Sequence, residues 1–386
     1  MFDINNLKET LTAWRHHLHE NPELARQESE TAKFVAARLA EMPNLEVVTG
    51  VGGHGIVATL KGTGDGPTIG IRADMDCIAM QEETGLPYCS KTAQKMHACG
   101  HDGHTTILLG AAALLSADPS FNGTVRFIFQ PGEEPGWGAK DMVEDGLFER
   151  FPCDEVYGLH NHPLSEMGTL ATRPGGMQAA EDNFTISITG RGGHASRPQD
   201  AIDPLACFAE IYLALQTIVS RSATPTNAVV VSCTEVECDG VHNAIPTHVV
   251  VRGDARTYNL EDSALIEKRM REICEHVCAM NGATCEVKYT HEFLPVINDE
   301  ACTAKVVEIA GKFFGKDKVD GNTPAGTGSE DFSYFCNAVP GCFMNLGTAR
   351  ADAENFPLHN PHYDFNDEAL ELGAKWWDFF AREVLK

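Results

Sequence analysis

The chain has 386 residues, longer than one hydrophobic core usually supports, so two domains are expected. Its 30 basic residues stand against 55 acidic ones, a formal net charge of −25, which argues against nucleic acid or an anionic membrane as partner. An anionic substrate would then need locally placed cations, either metals or a particular arginine. Thirteen cysteines fall without a framework of spacings, and the start Met1-Phe2-Asp3-Ile4 has no basic region ahead of an apolar core. A cytoplasmic protein with reduced, mostly buried thiols is expected. The longest apolar stretch, near Ile107 to Leu115, is too short to span a bilayer and is broken by Gly110.

Apolar residues at Leu7, Leu11, Trp14 and Leu18 give a helical period that stops at Asn21-Pro22, and a second helix is expected from Ser29 to Met42. Gly55 to Lys61 and Thr68 to Arg72 read as strands, and the spacing predicts a helix from about His104 to Ser116. Thr124 to Phe129 is a β-rich run leading to Gln130-Pro131-Gly132-Glu133-Glu134, and Glu155 to Leu159 is another that ends at His160. Alternating strands and helices imply an α/β domain with a mostly parallel, doubly wound sheet, in which ligands bind beyond the carboxyl ends of the strands. Asp74 and Asp76, Glu133 and Glu134, and His160 each follow a strand, so three strands deliver acids or imidazole to one edge.

From about Glu181 the texture changes. Phe184 to Thr189 alternates with period two, Pro204 to Val219 is helical, Ala228 to Cys233 and Thr247 to Asp254 are strand-like, Ser263 to Met280 is helical, and Cys285 to His291 is a strand. This βαββαβ order fits an α+β two-layer sandwich of ferredoxin-like type spanning 181–293. It would be inserted into a catalytic domain made of 1–180 together with 294–386, and His359 would return to the first domain's site.

The stretch Met96-His97-Ala98-Cys99-Gly100-His101-Asp102-Gly103-His104 holds a thiol, three imidazoles and a carboxylate in nine residues. A thiolate and an imidazole two positions apart suit zinc or another first-row divalent ion. For a lone Cys-x-His a buried thiol beside solvated histidines would be the default, but Glu133-Glu134, His160 and His359 recur at points where a doubly wound fold would deliver ligands to the same crevice. A cysteine hydrolase using Cys99 with His101 as base fares poorly, because residues two apart in a glycine loop do not readily pair and the glutamates would have no role. A structural zinc in a binding protein would close its shell with four Cys or His ligands, whereas here carboxylate is abundant.

The landmarks Arg15-His16-His17-Leu18-His19 with Pro22-Glu23, Arg72-Ala73-Asp74-Met75-Asp76, His97 to Asp102, Glu133-Glu134, Gly158-Leu159-His160-Asn161, Gly192-Gly193-His194-Ala195, Asn243-Ala244-Ile245-Pro246, Gly328-Ser329-Glu330-Asp331-Phe332 and Leu358-His359-Asn360 cover nearly the whole chain. Together they resemble the metal-dependent amidohydrolases that include hippurate hydrolase, the auxin-conjugate hydrolases and related N-acyl-amino-acid amidohydrolases, with aminoacylase and carboxypeptidase G more distant. The resemblance implies two divalent ions per subunit, Zn or Mn with Co or Ni as alternatives, on Cys99, His101, Glu134, His160 and His359. It implies Glu133 as general base, Asp76 as support for a histidine ligand, and an inserted domain serving as lid and dimer contact. His194 would reach the partner subunit's site and stabilise the oxyanion, while Asn243 and Arg256 would hold a small N-acyl amino acid in a homodimer or homotetramer. Metallo-carboxypeptidase or dipeptidase activity on short peptides is the alternative. His97 and His104 read as structural, His104 opening a helix either as its cap or as a contact behind the ligands, and Trp137 either lines the acyl pocket or simply packs.

Overall fold

The computed structural model describes residues 6–351 and 353–386. The reading at Met1 to Ile4 lies outside them. The chain divides into two compact units, one of 1–177, 296–325 and 330–386, the other of 178–295 with 326–329.

The first unit is built on an eight-stranded sheet in the order Leu45–Val51, Gly55–Lys61, Asn122–Gln130, Gly64–Asp74, Glu155–Glu166, Gly341–Ala349, Leu170–Ala171, Val319–Asp320. The four central strands, Asn122–Gln130 to Gly341–Ala349, pair in parallel, and the first two strands form an antiparallel edge. Successive side chains on a strand point to opposite faces. Accordingly Phe127, Tyr157 and Met344 enter one core, while Ile128, Val156 and Phe343 enter the other. Both faces are covered, which is what a parallel sheet requires.

The helix His101–Ala117 is buried along almost its whole length. Such a helix cannot be amphipathic. It lies in the core shared with Leu7–Glu20 and Glu368–Val384, and Gly110 permits that closeness: a Cβ there would sit 2.8 Å from Cβ of Ala374. Three boundaries correct the sequence reading. This helix begins at His101, not His104, so His104 lies inside its first turn. The strand from Glu155 runs on to Glu166, so His160 sits within it. The helix from Ser29 stops at Ala40, two residues short of Met42.

The second unit is a four-stranded antiparallel sheet in the order Val230–Cys238, His248–Arg256, Glu181–Thr189, Thr284–Phe293. Helices Pro204–Thr217 and Leu260–Asn281 pack on it through Cys207, Ile211, Leu215, Ile266, Met270 and Cys274. Taken in chain order, the strands lie second, third, first, fourth across the sheet, so a βαββαβ two-layer sandwich is what forms. Among the described residues no helix is long and apolar enough to cross a membrane.

A candidate metal centre at the ends of the parallel strands

Asp74 ends the strand Gly64–Asp74, Glu133 and Glu134 lie just past Gln130, and His101 begins its helix. The ligand atoms of Cys99, His101, Glu133, Glu134, His160 and His359 fall into overlapping groups: Cys99, His101 and His160; Cys99, Glu134 and His359; His101, Glu133 and Glu134; Asp74 groups with His101 and His104. Each group's atoms lie within 4.8 Å of one another. Gly100 makes the bend that lets Cys99 and His101 converge. Its φ is +94°, and a Cβ there would meet Asn161 Oδ1 at 2.6 Å and Tyr363 Oη at 2.7 Å.

The imidazoles are held with their ligating nitrogens turned inward. His101 Nδ1 donates to Asp76, at 3.0 Å to the carbonyl and 3.2 Å to Oδ1, so in the neutral ring Nε2 carries the lone pair. Burial disfavours the charged ring, but the carboxylate of Asp74 leads the groups that hold its pKa above the ordinary value, so a cation there would have to displace a proton. Asp76 also accepts the Glu134 backbone N–H at 3.1 Å, so one carboxylate orients two of the candidate ligands. His160 Nδ1 donates to the Asn161 carbonyl at 2.8 Å, and its Nε2 lies 3.4 Å from Cys99 Sγ. Burial, then the nearby His104, holds the His160 pKa well below its ordinary value, so the ring is neutral as a ligand must be. His359 adopts φ +63°, a strained conformation for a non-glycine residue, with its N–H bonded to Ala98 O at 2.9 Å.

The donor set fits divalent cations. His101 Nε2 and Glu134 Oε1 are buried without a hydrogen-bond partner and lie 3.9 Å apart. An unpaired buried polar atom costs on the order of 1–3 kcal/mol, a cost that a shared cation removes. Two ligands on one tetrahedral ion at about 2.0–2.3 Å stand roughly 3.3–3.8 Å apart, close to the separations seen here. Charge points the same way: Asp74, Glu330 and Asp331 share one buried guanidinium, Arg72, while Glu133 and Glu134 have no arginine or lysine ion pair among the described residues.

Glu133 is 7% exposed. Burial, followed by the carboxylates of Glu330, Glu134 and Asp331, pushes its pKa well above the usual range, which gives it a strong affinity for a proton. Behind it stands a buried clamp: Arg72 pairs with Asp74 at 2.9 Å, Glu330 at 2.9 Å and Asp331 at 3.1 Å, and Gln130 bridges Arg72 and Asp331. The sequence marks these residues only as landmarks, and nothing in the spacing of Arg72 and Glu330 announces a pair. Glu28 was missed altogether, although its Oε1 accepts the N–H of Gly132 at 2.8 Å and so fixes the turn before Glu133.

His104 does not cap the helix. Its ring bridges Asp74 Oδ1 and Asn161 at 2.7 Å each, so both nitrogens are committed. His97 is buried and lies in none of the candidate groups. Trp137 is 42% exposed, with the Arg26 guanidinium 4.5 Å from its ring centroid. In the inserted unit His194 is exposed on the two-residue strand Gly193–His194, its Nδ1 accepting from Ser196 N at 3.1 Å. The Asn243 carbonyl accepts from Ala195 N. Arg256 is held by Glu181 at 2.9 Å, by Asp254 at 3.0 Å and by Ser329 Oγ at 2.6 Å.

A buried carboxylate beside thiol, imidazole and carboxylate groups that could hold a metal ion is the kind of site a metal-binding hydrolase uses. The chain belongs to peptidase family M20/M25/M40, whose model matches residues 70–383. It is 38% identical to hippurate hydrolase of Campylobacter jejuni over 384 residues, covering 100% of this chain and 99% of that one. It is 36% identical to N-acetyl-L-cysteine deacetylase of Bacillus subtilis, covering 95% of this chain and 86% of the relative. A Bacillus subtilis dinuclear metal binding peptidase from the M20 family superposes with a TM-score of 0.85 at 33% identity, covering 99% of each chain. The chain is a hydrolase acting on amides.

Proposed function

We propose that this chain cleaves the amide bond of N-acyl-L-amino acids, hippurate-like or N-acetyl, to a carboxylic acid and a free amino acid. The observation that carries this reading is the placement of buried Glu133 next to groups of Cys99, His101, Glu134, His160 and His359 that share Cys99. Sharing the thiol makes room for two neighbouring cations, zinc or manganese with cobalt or nickel as alternatives. Bound there, they would supply Lewis acidity towards the amide carbonyl and lower the pKa of an attacking water.

The chain's own groups then divide the work. Glu133 Oε takes a proton from the attacking water and passes it to the amide nitrogen as the C–N bond breaks, so one water is consumed and no other reactant is needed. Asp76 keeps His101 and Glu134 aimed. His194 would donate to the developing oxyanion, in the site of a partner subunit, and Asn243 would help hold the substrate. Arg256 would take the α-carboxylate in its guanidinium fork. Glu181 and Asp254 already occupy that fork, so a substrate carboxylate would have to displace one of them.

The test is release of free amino acid from N-acetyl, N-benzoyl and indolylacetyl amino acids by metal-stripped protein reloaded with zinc or manganese, with dipeptides as competitors. Release that needs the metal and favours the N-acyl amino acids is expected. Cleavage of dipeptides alone would turn the reading to a peptidase.

A further inference from the structure

The segment Arg15 to His19 takes no part in the chemistry above, yet Arg15 is fully buried on the helix Leu7–Glu20. A buried guanidinium is tolerated only when its donors are paired. Its Nε donates to Asp102 Oδ2 at 2.9 Å, its Nη1 to Asp367 Oδ1 at 3.2 Å and its Nη2 to Asp364 Oδ1, while the Tyr88 ring covers its Cζ at 4.9 Å.

Those three acids belong to two segments far apart in sequence. Asp102 adjoins His101 and lies three residues past Cys99, and Asp364 lies five past His359. The same segments meet directly where His359 N bonds Ala98 O, and both approach the Asn161 side chain, which bonds Tyr363 Oη at 2.7 Å and crowds Gly100. His359 itself is exposed and strained at φ +63°, so its position depends on contacts outside its own residue.

We infer that Arg15 is a positioning residue: its planar fork fixes the Cys99 segment against the His359 segment and so tightens the cation shared by Cys99, Glu134 and His359. This rests on the metal reading above. Lysine keeps the charge but cannot serve three carboxylates in fixed directions.

The experiment measures metal stoichiometry and Kd by equilibrium dialysis with zinc and with manganese, together with the melting temperature of chelator-treated protein. It compares wild type, Arg15→Lys and Leu39→Ala, the last weakening the same core from the helix Ser29–Ala40, which carries neither Arg15 nor its three acids. Arg15→Lys should bind one of its two ions about 10–100-fold more weakly, the usual effect of losing a group behind a ligand, whereas Leu39→Ala should keep wild-type affinity even where it melts as low or lower. Should Arg15→Lys fail to fold, Asp364→Asn, which keeps the side chain's shape and weakens one arm, carries the same comparison. Wild-type affinity for both ions in the Arg15 or Asp364 variant, or equal weakening in Leu39→Ala, overturns the inference. A wild type that binds no metal overturns the metal reading and the brace with it.

Discussion

Glu133 and Glu134 are adjacent and both acidic, yet their surroundings differ. Both lie 3.9 Å from His101 Nε2, but Glu134 also faces His359 at 3.8 Å, whereas Glu133 also groups with the carboxylates of Glu330 and Asp331. A residue among like charges serves better as a proton acceptor than as a ligand. Glu133→Gln should therefore lower kcat by about 10²–10⁴-fold and leave bound metal unchanged. Elemental analysis beside kinetics checks this, and near wild-type turnover would remove Glu133 as the base. His19 offers a test of the fold. Burial disfavours its charge, but hydrogen bonds to Asp102 and Glu82 outweigh that and push its pKa up to about 9. Since the unfolded value is about 6.5, the stabilisation of about 3 kcal/mol is complete below pH 6.5 and fades as pH rises through 9. In chelator, the stability gap between wild type and His19→Gln should shrink between pH 6.5 and 9.5; a constant gap would show that His19 is not charged. The paired glutamates and the Cys-x-His were legible because their chemistry is local. Arg72 with Glu330, 258 residues apart, was not, since only the fold makes them neighbours.

At the scale of elements, sequence patterning found the strands whose ends carry the site and misplaced what hydrophobicity does not mark. The helix at His101 has no capping side chain; its N-cap is Gly100 in a left-handed conformation, so the usual Ser, Thr, Asp or Asn signal is missing. The strand Glu155–Glu166 continues through polar Asn161 and His162 and through Pro163, residues that normally argue for an end. Leu45–Val51, at the sheet edge, buries only Val51 fully and carries only a weak pattern. The dependence on Gly100 can be measured. Alanine there combines a positive φ with contacts of 2.6–2.7 Å to Asn161 and Tyr363, and should cost about 3 kcal/mol in urea unfolding while loosening the metal. If Gly100→Ala is as stable as wild type and holds its metal, the bend at Cys99 and His101 is not set by this residue.

At the scale of the whole molecule, the change from α/β alternation to βαββαβ near Glu181 is visible as a change of period. The return of Gly326–Ser329 to the second unit is not, because four residues carry no periodicity. If copies of this chain associate, that unit has an open strand edge to offer. Its strand Val230–Cys238 lies at a sheet edge with Val230 and Val236 exposed, and the helix Pro204–Thr217 leaves Leu205, Tyr212 and Leu213 exposed. Unpaired edges and apolar patches favour association, and His194 sits exposed in the same unit. If His194 serves the neighbouring subunit, Glu133→Gln and His194→Ala chains, each inactive alone, should complement when mixed. In a hybrid dimer the His194→Ala chain keeps its own Glu133 and receives His194 from its partner, giving one working site of two. Random exchange makes half the dimers hybrid, so activity should recover to about a quarter of wild type. Absence of recovery after subunit exchange has been demonstrated by mass-tagged chains would place His194 in its own chain's site or outside the chemistry.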